Sequence, residues 1–218
     1  MTIQSSAERS LKALEMMKQG NLRFQQGLRS VEHFPTPSKL KILSEQGQKP
    51  FCIIVSCADS RVPAEHLFDQ GLGDLFVLRV AGNVIAPSLL ASLEFAATQF
   101  DTPLVLVMGH SKCGAIQATI NNVKTPAPLP SQNLTDLVDR IKPAVKKHVE
   151  KHANEPLLVD ICGIENVHNT VKRIQEDSPI VQKLIAEKKL MIASAFFCLD
   201  TGVVEFEPVP ESKVAKRA

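Results

Sequence analysis

Three short, largely apolar runs rich in β-branched residues constrain the fold of this chain more than any other feature. They lie at 51–56, 75–80 and 104–108. A strand that is buried on both faces shows such a continuous run instead of an alternating pattern, which is typical of parallel sheets. We therefore predict three buried strands of a mainly parallel sheet.

Segments with helical spacing separate and follow these runs. Helices are predicted at 63–69 and 87–100, and Pro87 occupies a favoured first helical position in the second. Two later strands are predicted at 191–197 and 203–206, joined by a tight turn. This alternation indicates an α/β fold with a central, mainly parallel β-sheet flanked by helices.

An N-terminal helical arm is predicted over residues 1–30. Ser5 and Glu8 have the spacing of a capping box, and apolar residues recur at helical spacing through 5–28. The pattern predicts one or two helices, weakened at Gly20. Such an arm must bury its apolar face on its own domain or on a partner subunit.

The length of 218 residues fits one sizeable domain, which we predict over 1–218 with a terminal tail at 207–218. Three prolines between 124 and 131 indicate a loop inside that domain. The stretch 157–174 begins like a strand but carries apolar residues at helical spacing, and its length favours a helix.

Composition excludes several classes of protein. The net charge of +2 is too close to balance to indicate binding to nucleic acid or to a membrane surface. No apolar run approaches the roughly 18 residues that a membrane helix needs. Five cysteines without a regular framework favour a reducing compartment, and we expect a cytoplasmic protein.

Reactive side chains follow two of the predicted strands directly. Cys57, Asp59 and Arg61 come after the first, and His110 and Cys113 come after the third. The carboxyl ends of parallel strands are where sites form in open α/β sheets. These two segments are therefore the candidate site.

Two thiols and one imidazole, from Cys57, His110 and Cys113, suit a tetrahedral zinc ion with a fourth position open for catalysis. Spacing alone leaves a second interpretation open, in which the cysteines are buried core residues. Asp59 and Arg61 are likewise either a site pair or a weak surface ion pair.

A resemblance to a known family supports the site interpretation. The chain resembles the β-carbonic anhydrases from about residue 20 to Phe206, in the order and spacing of three signature segments. These are C-x-D-x-R from Cys57, R-V-A-G-N from Arg79 and H-S-K-C-G from His110.

The resemblance implies the reversible hydration of carbon dioxide to bicarbonate. It implies that Cys57, His110 and Cys113 bind one zinc ion per chain, and that Asp59 and Arg61 form a catalytic dyad. It also implies a homodimer or a dimer of dimers. Because the chain has no Trp and no Tyr, it is more similar to the open, plant-type members than to those with a gated bicarbonate pocket.

By the same resemblance, five residues line the substrate pocket, some of them from a neighbouring subunit: Gln48, Phe76, Ala81, Phe95 and Gly114. Without it, Phe76 and Phe95 would be assigned to the core and Gln48 to a loop. Phe95 stands where a tyrosine is common in the family, so a hydroxyl near the pocket is lost.

Two alternative functions remain open from the sequence. One is hydrolysis of carbonyl sulfide or carbon disulfide at the same zinc site. The resemblance implies this activity because a few relatives of the fold look to have it. The other is a zinc-stabilised binding or regulatory module without catalysis. The presence of both Asp59 and Arg61 favours an enzyme.

Overall fold

The computed structural model describes residues 5–152 and 155–208. Within these ranges the chain forms eight α-helices, two short 3₁₀ helices and five strands. The first four residues of the predicted arm and residues 209–218 of the predicted tail lie outside the described ranges. None of the described helices is long and apolar enough to cross a membrane.

Helices and strands alternate through the first half of the chain, and helices dominate the second half. The helices are α1 Ser6–Gln25, α2 Pro37–Gln46, α3 Ala64–Leu67, α4 Pro87–Gln99, α5 Gly114–Lys124, α6 Gln132–His152, α7 Leu158–Asp177 and α8 Pro179–Ala186. The strands are β1 Cys52–Ser56, β2 Leu75–Arg79, β3 Leu104–His110, β4 Met191–Phe197 and β5 Val204–Phe206. The 3₁₀ helices are Val31–His33 and Ala81–Asn83.

The five strands form one sheet in the order β2-β1-β3-β4-β5. The first four strands are parallel, and β5 pairs antiparallel with β4. This confirms the predicted fold class and every predicted strand, with ends that differ by at most two residues. Because β1 and β3 are parallel neighbours, with Ser56 beside Met108, their carboxyl ends lie at the same edge.

Every residue of β1 and β3 is buried, which explains why their sequences are continuous apolar runs. Successive side chains point to opposite faces. Ile54 packs in the cluster under α1 and α3, whereas Ile53 packs in the cluster under α4, α7 and α8. A third cluster, formed with α5, α6 and α7, contains Cys57 and Cys113.

Of the one or two helices predicted over 5–28, the structure forms one, which ends at Gln25. Its capping box is present, since Ser5 N–H donates to Glu8 Oε2 at 2.7 Å and Glu8 N–H donates to Ser5 Oγ. Leu14 and Met17 bury its apolar face in the first cluster. The helix therefore packs on its own domain.

The sequence pattern does not predict α2, and the structure shows why. None of its residues is fully buried, and only Leu43 is partly buried, beside Gly73, so the helix lacks a periodic apolar face. Leu40 and Ile42 are exposed there, as are Val31 and Phe34 just before the helix. The loop before α6 and the helix over 157–174 are both confirmed, the latter as α7.

Gly20 tests the packing of α1. A Cβ at this position would lie 1.8 Å from the Phe68 carbonyl oxygen. Alanine is the better helix former by about 1 kcal/mol, but the clash forces the helix away from α3. We expect Gly20→Ala to lower the free energy of unfolding by about 1–3 kcal/mol in urea titrations.

The matched control is Gln19→Ala, at an exposed position on the same helix. It should change stability by no more than about 0.5 kcal/mol. A Gly20→Ala protein as stable as the wild type would show that α1 does not pack as closely as described.

Candidate metal and catalytic site

The carboxyl ends of β1 and β3 bring three potential metal ligands together. Cys57 directly follows β1, His110 ends β3, and Cys113 is the N-cap residue of α5. Their ligand atoms all lie within 4.8 Å of one another, and all three residues are buried. This convergence favours a shared site over the alternative of isolated core cysteines.

The imidazole of His110 is oriented as a ligand. Its Nδ1 lies 2.9 Å from the Ser111 carbonyl oxygen, which can only accept, so Nδ1 carries the proton. Nε2 then has a free lone pair, yet it is buried without a hydrogen-bond partner. Buried polar atoms rarely lack a partner, so this orphan atom fits a metal bond.

The two thiols share one negative charge. The pKa of Cys57 is lowered to about 4, chiefly because the Cys113 thiol donates a hydrogen bond to its sulfur. The pKa of Cys113 is raised, by that same bond to Cys57 and by burial. Ionisation of the second thiol would require a cation beside it, and two sulfurs with one imidazole nitrogen suit zinc.

Backbone donors from a neighbouring turn also stabilise the Cys57 thiolate. The N–H groups of Asp59 and Gly82 lie 3.4 Å from Cys57 Sγ. Gly82 adopts a φ of 67°, and a Cβ there would lie 2.8 Å from Ile141 Cδ1. Only glycine therefore fits this approach to the sulfur.

Side chains of α7 and β2 donate hydrogen bonds to the backbone carbonyl groups around Cys57. Asn166 Nδ2 donates to the Gly82 carbonyl oxygen at 2.7 Å. Arg79 donates to the carbonyl oxygens of Cys57 and Asp59, at 3.1 and 2.6 Å. Sequence reasoning missed Asn166, because no local pattern shows which distant carbonyl an amide reaches.

Asp59 and Arg61 form a bidentate ion pair beside the three ligands. Arg61 Nε lies 3.0 Å from Asp59 Oδ1, and Nη2 lies 2.7 Å from Oδ2. This pair holds the pKa of the Asp59 carboxyl well below its usual range. Oδ2 also lies 4.0 Å from His110 Nε2, which places an ionised carboxylate next to the ligand cluster.

The five predicted pocket residues divide into two groups. Ala81 precedes Gly82, and Gly114 directly follows Cys113, so both lie beside the cluster. Gln48 precedes β1, whereas Cys57 follows it. A strand of this length spans roughly 16 Å, so Gln48 and the cluster lie at opposite edges of the sheet.

Phe76 and Phe95 also lie away from the cluster. Both rings pack near Phe100, at centroid distances of 6.1 and 5.7 Å, and Phe95 is 52% exposed. Phe100 and Gln48 line one cleft of about 480 Å³. One chain therefore does not bring these three predicted pocket residues to its own ligand cluster.

A second cleft of about 480 Å³ opens next to the dyad. It is lined by Arg61 and Lys112 together with apolar side chains, among them Phe24, Leu67 and Phe197. Arg61 is 52% exposed on this side, whereas Asp59 is only 18% exposed. A small molecule can thus approach the ion pair while the ligand atoms remain covered.

Comparison with known proteins identifies the family. The family model described as carbonic anhydrase matches residues 52–204. Carbonic anhydrase 2 of Mycobacterium tuberculosis is 37% identical over 195 residues, which cover 87% of this chain and 89% of that protein. Carbonic anhydrase of Mycolicibacterium smegmatis is 35% identical over 193 residues, with 88% and 91% covered.

Solved structures show the same fold. The β-carbonic anhydrase CafA of Aspergillus fumigatus aligns with a TM-score of 0.70 at 24% identity, over 92% of this chain and 91% of that one. A β-carbonic anhydrase of Sordaria macrospora aligns with a TM-score of 0.69 at 24% identity, over 78% and 86%. With its sequence relatives and its fold in agreement, this chain belongs to the β-class carbonic anhydrases, a family of enzymes.

Proposed function

We propose that this chain catalyses the reversible hydration of carbon dioxide to bicarbonate and a proton, with one zinc ion per chain. One observation carries the proposal: three buried ligand atoms within 4.8 Å of one another lie next to an arginine-bound carboxylate. Membership of the carbonic anhydrase family supports the same reaction.

Cys57, His110 and Cys113 would hold the zinc ion. Three protein ligands leave one of the four tetrahedral positions open, which is the arrangement of catalytic zinc sites. When bound, zinc supplies Lewis-acid chemistry, since it lowers the pKa of water and makes a nucleophile available near neutral pH.

Asp59 would orient that nucleophile. Because Arg61 keeps the pKa of Asp59 far below neutrality, the carboxylate carries no proton and acts only as a hydrogen-bond acceptor. An acceptor in this place fixes the O–H direction of the attacking oxygen and so points a lone pair at the carbon of carbon dioxide. Arg61 keeps the carboxylate in one orientation.

The open, plant-type form of the site is also part of the proposal. Asp59 is engaged by Arg61 through two parallel hydrogen bonds, and this supports a site whose fourth position is left to the reactants. The absence of Trp and Tyr from the sequence supports it as well.

Metal analysis tests the zinc site. We expect about one zinc ion per chain in the purified wild type and little in Cys57→Ser, because a serine hydroxyl replaces one thiolate ligand. Cys198→Ser is the control, since Cys198 is a free, partly exposed cysteine outside the cluster. Wild-type zinc content in Cys57→Ser, or none in the wild type, would contradict the assignment.

Proton release on mixing with carbon dioxide tests the reaction. Asp59→Asn should keep its zinc but hydrate carbon dioxide at least about 100-fold more slowly, because the acceptor becomes neutral and loses its pair with Arg61. Asp136→Asn is the control. It breaks a similar bidentate pair, with Arg140 on α6, and should keep the wild-type rate. An unchanged rate in Asp59→Asn would refute the role of the dyad.

The same proton-release assay tests the sulfur analogues of carbon dioxide as substrates. No contact in the described part of the chain favours carbonyl sulfide or carbon disulfide over carbon dioxide. We therefore expect hydration of carbon dioxide to be much the faster reaction. A preference for a sulfur substrate would move the proposal to the alternative hydrolase.

We also propose that the enzyme is a homodimer or a dimer of dimers whose pocket is completed by a second copy. Gln48, Phe76 and Phe95 do not reach the cluster of their own chain. The uncovered side chains of α2 and Phe34 offer apolar surface for a partner. The β-carbonic anhydrases of Sordaria macrospora are tetrameric, which supports an oligomeric assembly for this chain.

Light scattering tests the assembly. We expect Phe34→Asp combined with Leu40→Asp to lower the molar mass and the activity together. The two aspartates would place charges on the exposed apolar surface that the second copy is proposed to cover. Lys41→Asp places an acidic residue on the same helix and should leave the mass unchanged. A monomeric wild type with full activity would refute the shared pocket.

We further propose that residues 1–218 form one domain that works in the cytoplasm. All five described strands form a single sheet, and most of the helices pack on it or on one another, which supports one domain. The five cysteines are free, which supports a reducing compartment. Cell fractionation with an antibody to the chain tests the compartment, and recovery in a secreted or membrane fraction would refute it.

A further inference from the structure

The turn between two of the ligands is unusually constrained. Only Ser111 and Lys112 separate His110 from Cys113, and Lys112 adopts a φ of 55°. This left-handed conformation is uncommon for residues other than glycine. The direction in which the chain leaves Lys112 decides where Cys113 Sγ lies relative to His110 Nε2.

Ser111 fixes the first half of the turn to β4 and the loop after it. Its N–H donates to the Phe197 carbonyl oxygen at 2.9 Å, and its Oγ accepts from Leu199 N–H at 2.9 Å. These bonds hold the backbone up to Ser111. They leave the N–H of Lys112 to be bonded from elsewhere.

That partner comes from α7. Asp160, in the first turn of the helix, accepts the Lys112 N–H through Oδ1 at 2.9 Å. Gly163 favours this approach, since a Cβ there would lie only 3.0 Å from the Phe196 ring. The carboxylate is thus brought to the turn by close packing of α7 on β3 and β4.

The other groups of Lys112 link the turn to the dyad. Its carbonyl oxygen lies 3.4 Å from Arg61 Nη2, and its Nζ pairs with Asp200 Oδ1 at 2.5 Å on the surface. A change in the orientation of the Lys112 peptide would therefore move both Cys113 and Arg61, which is the partner of Asp59.

We propose that Asp160 is a positioning residue of the metal site: by accepting the Lys112 amide it holds the left-handed turn that makes Cys113 converge with His110 and Cys57. It contacts neither metal nor substrate. The inference rests on the proposed zinc site and adds a determinant of zinc affinity from outside the ligand set. Removal of such a supporting hydrogen bond typically lowers metal affinity about 10–100-fold.

Zinc affinity measured by competition with a chromophoric chelator tests the inference. Asp160→Ala should bind zinc at least about tenfold more weakly than the wild type. Asp160→Asn keeps an oxygen that accepts the amide and should stay within about threefold of the wild type. Asp200→Ala removes the other aspartate of Lys112 but not the amide bond, and it should leave the affinity unchanged.

A second-site change separates the turn from general stability. Lys112→Gly in the Asp160→Ala background makes the left-handed conformation easy to adopt, so the double variant should regain most of the lost affinity. Cobalt substitution gives a second readout, because the thiolate-to-cobalt charge-transfer band of Asp160→Ala should shift and the band of the double variant should return.

Three outcomes would overturn the inference. They are an Asp160→Ala protein that binds zinc as tightly as the wild type, equal losses in Asp160→Ala and Asp200→Ala, and a loss fully explained by unfolding of the metal-free variant in urea titrations. Failure of the wild type itself to bind zinc would instead refute the proposed function, so the two failures are distinguishable.

Discussion

The parallel pairing of β1 with β3 is the constraint on which the whole site depends. The two strands are adjacent and run in the same direction, so both chain exits lie at one edge of the sheet. Cys57 and His110 stand at those exits, and the short turn after His110 brings Cys113 back to them. A shift in register would separate the ligands, but both strands are fully buried, and the core on each face opposes any shift.

The groups that face one another at this edge match a cation. Two thiols and the carboxylate of Asp59 face the same small volume, and Arg61 is the cation paired with that carboxylate. The guanidinium is half exposed, so water weakens its field toward the buried sulfurs. A divalent ion between the sulfurs and the imidazole would complete the balance.

Much of the fold and the convergence of the three candidate ligands could be predicted from sequence, because both follow from local patterns. Buried parallel strands appear as continuous apolar runs, and reactive side chains directly after such runs must lie at the sheet edge. Asp160 and Asn166 could not be predicted, since their roles depend on which backbone groups α7 approaches in three dimensions.

Sequence patterns also predict little where a segment has few contacts within its own chain. In α2, Leu40 and Ile42 are exposed and only Leu43 is partly buried, so no periodic apolar face marks this helix in the sequence. Only the family resemblance assigns Gln48 and Phe95 to the pocket, and one chain places them at a different part of its surface. One chain therefore brings only part of the predicted pocket, Ala81 and Gly114, next to the ligand cluster.

The order of the elements along the chain has a consequence for biosynthesis. All three ligands lie between residues 57 and 113, whereas α7, which packs over their turns, begins at Leu158. A ribosome therefore releases both thiols and the imidazole before it has made the helix that buries them. During that interval α7 does not yet cover the three candidate ligands, so an ion that bound them then would need no local unfolding of the finished enzyme.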